Sequence, residues 1–229
     1  MLKIENSDVV GWEAAIRGMR NPKNSWNRSD SYFDTKDCAK CFDRDPGYTC
    51  DREVCNSGDT CFKVGINDHT LMMTLANGGP VHAKYRRMIV VYADVTAPLY
   101  WWKEYDTYKV GTVTNSCSTM HKIHDKEFTI EDFSCEHLNE SSISQLNETI
   151  KLLNTYRSKF IETNDKTYWW QMIQLLPSSY NQKRTIMLNY EVLAGIYPMR
   201  KNHKLDEWHV FCDWIKSLPY SEIITDKIL

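Results

Sequence analysis

The sequence predicts an α+β fold on three observations: a β-branched run early in the chain, amphipathic helical spacings late in it, and no internal repeat. Taken in order, Leu2 to Ile4 predicts a short leading strand, and DVVGWEAAIRGMR predicts a helix with Val9, Trp12 and Ile16 on one face. NPKNSWNRSDS, rich in Asn, Ser and Pro, reads as a loop. In NDHTLMMTLANGG, Asp68 is placed to cap a helix presenting Leu71, Met72 and Leu75, and Gly78 to end it. MIVVYADV predicts a strand buried on both faces, because it is apolar without strict alternation. Residues 125–143 are polar and read as a surface excursion. Leu146, Ile150, Leu153 and Phe160 give a helical face between Ser144 and Ile161, and KTYWWQMIQLL and MLNYEVLAGIYPMR read as two more helices. Leu205, Trp208, Cys212, Ile215 and Leu218 step at three and four residues, so the last helix has one core face. Strands therefore fall early and helices late.

Composition bounds the function. The 229 residues suffice for one large domain, and we expect residues 1–229 to form one. A formal charge of −2 argues against a nucleic-acid binder as a whole, leaving local patches open. No run approaches the length of a membrane span, and MLKIENSDVV lacks a signal-peptide core, so a cytoplasmic protein is expected. In that compartment the eight cysteines are expected reduced, metal-bound or chemically used.

One segment concentrates chemistry. APLYWWKEYDTYKVGTVTNSCSTMHK follows the most apolar strand and has little of a plain helix or strand about it. It offers a nucleophile in Cys117, acid–base groups in His121 and His124, and anion-binding cations in Lys103 and Lys109. Against that stand plainer readings: Cys117 as a packing residue, and Trp101 with Trp102 as core or interface rather than a stacking platform.

The second half supplies context. Leu176-Pro177 is followed twelve residues on by Asn189 and eleven further by Arg200. This pattern resembles the C-terminal signature of the flavin-dependent thymidylate synthases, and the likeness runs backward through residues 170–218 and 64–122. In that family a helix, a His-containing turn and a strand lead into R-H-R-x-x-S-x-N-E-x-S-x-R; here residues 68–77, GGPVH and MIVVYADV lead into TYKVGTVTNSCST. Arg-His-Arg corresponds to Thr107, Tyr108 and Lys109, the first Ser to Thr112, Asn-Glu to Thr114-Asn115, the second Ser to Cys117 and the last Arg to Thr119. A one-residue slip puts Ser116 or Ser118 in place of Cys117, and Ile173 stands near where the family has an Arg before Leu-Pro. Three phosphate-gripping arginines are thus absent, and bidentate Arg contacts are not reproduced by Lys or Thr.

The resemblance implies a thymidylate-synthase-like fold, a small sheet with several helices, and a divergent methyl-transferring flavoprotein of nucleotide biosynthesis. The reaction implied is reductive methylation of dUMP, or a related pyrimidine nucleotide, to dTMP with methylenetetrahydrofolate, reduced FAD and NADPH. Arg200 would polarise the pyrimidine and help bind substrate. Lys103, Ser116, Cys117 and Ser118 would line the nucleotide, and His82, Lys109, Thr112, Asn115 and Asn189 would hold flavin. A homotetramer is implied as well. Plainer readings stay open: a salt bridge to Asp206 or Glu207 for Arg200, a helix cap for Asn189, and ordering of the Gly78-Gly79-Pro80 turn for His82. The alternative at the level of the protein is a non-catalytic nucleotide-binding module on the same fold.

Residues 37–61 form a cysteine-rich insert that the family does not ordinarily carry. Cys38, Cys41, Cys50, Cys55 and Cys61 are interleaved with charged residues and almost no aliphatics, so such a stretch needs a staple. Thiolate-bound zinc is the economical choice, with an iron–sulfur cluster or unliganded cysteines as alternatives. A zinc module contacting nucleic acid or protein is a third reading, weakened by flanking charges of mixed sign.

Overall fold

The computed structural model describes residues 2–34 and 61–226. Its first strand, β1 (Lys3–Val10), takes in Asp8, Val9 and Val10, which periodicity assigned to the first helix. The change of structure falls at Gly11, whose φ is +99°. A Cβ at that position would lie 2.1 Å from the Met88 carbonyl oxygen, so only glycine makes this corner. Helix α1 (Trp12–Arg20) then buries Trp12, Ala15, Ile16 and Met19 along one face. The Asn- and Ser-rich stretch forms two 3-10 turns, Asn21–Lys23 and Trp26–Arg28. After it, β2 (Tyr32–Phe33) pairs antiparallel with β3 (Phe62–Lys63), Phe33 opposite Phe62.

Helix α2 (Ile66–Asn77) starts two residues before Asp68 and is preceded by Gly65, so Asp68 is not its cap. Asp68 points inward and is fully buried. Gly78 ends this helix, as expected. A 3-10 turn at Lys84–Arg87 leads to β4 (Val90–Pro98). Val91, Ala93, Val95 and Ala97 are buried while Tyr92 is 45% exposed, so the strand is packed on one face and not on both. Helix α3 (Leu99–Tyr105) comes directly after it and buries Trp101, Trp102 and Tyr105. Truncating one of these large rings to Ala is worth about 3–5 kcal/mol. The two tryptophans are therefore core, and the segment opening at Ala97 is in good part regular.

Strand β5 (Val113–Ser116) and the one-turn helix α4 (Thr119–Lys122) follow. Residues 125–143 are not a surface excursion. Phe128 and Phe133 pack with Ile123, Leu146, Ile150, Leu153 and Met172 in one buried cluster. Their polar neighbours mask two aromatic anchors spaced too irregularly to register as an element. Helix α5 (Glu140–Thr163) is capped by Asn139, which accepts the Ser142 N–H at 2.9 Å, and ends at Asn164 in the left-handed region. Helix α6 (Lys166–Leu175), capped by Asp165, packs back on it. Next comes a strand, β6 (Asn181–Asn189), which takes Met187 to Asn189 out of the predicted helix. Helix α7 (Tyr190–Arg200) is correspondingly shorter, with Pro198 in its last turn. Helices α8 (Asp206–Ser217) and α9 (Glu222–Thr225) close the described chain.

The four longer strands form a sheet in the order β1-β4-β6-β5. The architecture is thus mixed α+β, with strands late as well as early. Two compact units are distinguishable by their internal contacts. The first holds Asp94–Lys109 and Thr114–Ile186 with the start of the chain; the second holds the described parts of Asn6–Ala93 and Met187–Leu229, with Val110–Val113.

Candidate functional site

In the first unit, β5 delivers Asn115 and Ser116 to the surface, both exposed, and the chain then enters a cleft of about 950 Å³. Cys117, Ser118, Thr119, Lys122, Lys126, Tyr180, Gln182 and Lys183 are among its lining residues. The position of Cys117 is set by the backbone: its N–H donates to the Lys183 carbonyl at 2.9 Å, and its carbonyl accepts the Gln182 side-chain N–H at 2.9 Å. Its thiol is free and exposed. Ser118 caps α4, its Oγ accepting the His121 N–H at 3.1 Å. The cleft's cations are partnered: Lys122 with Asp125 at 2.9 Å, Lys183 with Asp94 at 3.2 Å, and Lys126 with Asp132. The Asp132 hydrogen bond, with its charge behind it, pushes the Lys126 ammonium above its ordinary value. Burial, helped by Asp132, pushes the Tyr180 phenol up, so it stays protonated at neutral pH. Lys103 on α3 and Lys109 beyond it are both exposed in this unit.

His82, Thr112, Asn189 and Arg200 fall in the second unit. Asn189 caps α7, its Oδ1 accepting the Val192 N–H at 3.1 Å. The loop carrying Thr112 passes closely over that cap. A Cβ at Gly111, where φ is +76°, would stand 3.1 Å from Asn189 Nδ2 and 3.0 Å from Val192 Cγ2. Arg200 lies at the other end of the same helix, its guanidinium 4.5 Å from the centre of the Trp208 ring. His82 closes its turn through an N–H to the Gly79 carbonyl at 3.0 Å, and its ring rests against Gly78. Its imidazole is exposed at a second cleft, shared with Lys84 and lined by no carboxylate among the described residues. That donor set suits an anionic ligand.

Of the insert cysteines, Cys38, Cys41, Cys50 and Cys55 lie outside the described residues, while Cys61 is buried beside β3. Among the described residues no group of three or more His, Cys, Asp or Glu side chains is disposed to hold a metal ion. Burial pushes the Cys212 thiol up to about 11, which leaves it inert at neutral pH. The sequence reading missed the anchoring role of Asp68 and the cations around His82. Only the run of Asn and Ser residues before the insert hinted that the loop had partners elsewhere.

No protein-family model matches the chain, and no curated protein matches it in sequence. Solved structures do match, and they define the fold as that of flavin-dependent thymidylate synthases. The chain is similar to the flavin-dependent thymidylate synthase ThyX of Helicobacter pylori complexed with FAD and dUMP, with a TM-score of 0.60 at 13% identity over 96% of each chain. A second ThyX structure from Helicobacter pylori, also with FAD and dUMP, gives a TM-score of 0.58 at 14% identity, covering 97% of this chain and 96% of that one. At such identity the likeness establishes a shared fold.

Proposed function

We propose that the chain is a divergent flavin-dependent thymidylate synthase-like enzyme that binds a flavin and a pyrimidine nucleotide. The observation that carries this reading is helix α7. Asn189 begins it and Arg200 ends it, as the eleven-residue spacing implies, on a fold shared along its length with proteins solved with FAD and dUMP. Reduced flavin would supply hydride to the pyrimidine ring. Arg200, pressed on the Trp208 face, is a cation fixed in direction, suited to steady negative charge as it develops on a bound base. Asn189 keeps Nδ2 available while its oxygen caps the helix. Cys117 and Ser118 line the first-unit cleft, and the exposed Cys117 thiol faces whatever nucleotide binds there. In this reading the chain acts as a homotetramer in the cytoplasm, with zinc in the cysteine-rich insert.

A second reading, binding without turnover, is favoured by one specific feature. Where the family carries an Arg before Leu-Pro, Ile173 packs against the buried cluster of α5 and α6, leaving no cation there. The test is a visible absorption spectrum of the purified protein, followed by titration with FAD and dUMP. A flavin spectrum that shifts on adding nucleotide supports the enzyme, and Arg200→Ala should then abolish turnover while leaving the flavin spectrum in place. A colourless protein that ignores FAD yet binds dUMP overturns the synthase reading in favour of the binding module.

A further inference from the structure

The cleft beside His82 has a chemistry of its own. It encloses about 1310 Å³ and is lined by described residues from 18–28, 67–75 and 81–88. Four of them, Arg20, Lys23, Arg28 and Lys84, are cations, and among the described lining residues there is no Asp or Glu. In a chain with 30 acidic and 28 basic residues, that is a local segregation of charge.

Arg20 is not available to a ligand, because its Nε donates to the buried Asp68 carboxylate at 2.6 Å. Lys23, Arg28 and Lys84 differ: each is exposed, and none has a carboxylate partner among the described residues. Three cations that have no carboxylate partner among the described residues face one cavity and repel one another, and a multiply charged anion relieves that repulsion in a way a monoanion does not.

The two loop cations are also held in place. The loop that carries Lys23 and Arg28 is stapled to the first turn of α2. Asp68 Oδ2 accepts the Ser29 hydroxyl at 2.7 Å, the Ser31 hydroxyl at 2.6 Å, and the N–H groups of Asp30 and Ser31 at 3.1 Å each. The Asp30 carboxylate returns the contact, accepting the N–H groups of Asn67 at 2.9 Å and Asp68 at 3.1 Å. Arg20 Nη1 reaches the Ser25 carbonyl at 3.2 Å, and Trp26 Nε1 donates to Asn21 Oδ1 at 2.8 Å. Backbone ordered before binding removes an entropic penalty from the complex. Leu71, Leu75 and Val81 supply an apolar wall for whatever ring the charged group carries.

We propose that this cleft binds a diphosphate-bearing ligand, with Lys23, Arg28 and Lys84 as its phosphate-binding cations. A dinucleotide cofactor and a nucleoside diphosphate share that chemistry. The assignment refines the flavin reading if the dinucleotide is the source, and it stands without that reading if the nucleoside diphosphate is.

Calorimetric titration of the full chain with inorganic pyrophosphate, ADP and FAD separates the cases. The variant combines Lys23→Gln, Arg28→Gln and Lys84→Gln, all at exposed positions, with circular dichroism and thermal unfolding as controls for folding. We expect pyrophosphate and ADP to bind the native chain and the variant to bind both at least about tenfold more weakly, since charge-assisted contacts are lost. FAD competing with ADP identifies the dinucleotide. ADP binding without FAD binding retains the diphosphate site and removes the flavin reading. No binding of pyrophosphate or ADP, or equal binding by the folded variant, overturns the proposal.

Discussion

Asp68 shows how one side chain can organise the loop between Arg20 and Ser31. It looks like a helix cap from its neighbours, yet it sits inside α2 and draws Arg20, Ser29 and Ser31 to itself. Burial raises its pKa, but the hydrogen bonds of Ser31, Ser29 and Arg20 and the Arg20 charge outweigh that and hold the carboxyl below its usual value. A carboxylate with a depressed folded pKa stabilises the fold above the unfolded value. That contribution disappears as pH falls through the folded pKa, so the loop should loosen in acid, below a pH of about 4. Asp68→Ala strands a buried guanidinium and should lower stability by about 3–5 kcal/mol, measurable by urea unfolding. Nothing local in the sequence marks Asp68 for this role, because its partners lie 37 to 48 positions away.

At the scale of elements, the sequence was most legible where one face is apolar over several turns. The spacings of α5, α6 and α8 correspond to helices in the structure, with ends adjusted by a few residues. It was least legible where structure changes within an apolar run. Met187 to Asn189 fit a helical period, but they complete β6, and the turn into α7 is set by Asn189 acting as cap. Likewise Val9 and Val10 belong to β1 because Gly11 alone can pass under the Met88 carbonyl. Local periodicity does not see such tertiary contacts. The Asn189 cap gives a direct test: Asn189→Ala should lower stability by about 1 kcal/mol, and Asn189→Asp, which keeps the accepting oxygen, should recover most of it in thermal unfolding. If flavin affinity falls in both variants, the amide nitrogen is in use as well.

For the whole molecule, the fold is shared where sequence identity is low. The chain matches the flavin-dependent thymidylate synthase structures from Helicobacter pylori with TM-scores of 0.60 and 0.58 at 13% and 14% identity. The cations at the His82 cleft were not legible, because Lys23, Arg28 and Lys84 come from separate stretches and meet only in three dimensions. The pairing of β2 with β3 has a consequence of another kind. Phe33 faces Phe62, and the Asp34 N–H donates to the Cys61 carbonyl at 2.8 Å, so the chain leaves and re-enters at a single point. Closing a loop of 26 residues in place of a turn of a few adds only about 1–2 kcal/mol of chain entropy. Replacing residues 35–60 by a short Asn-Gly turn should therefore leave the cooperative unfolding transition intact, within a few degrees by calorimetry.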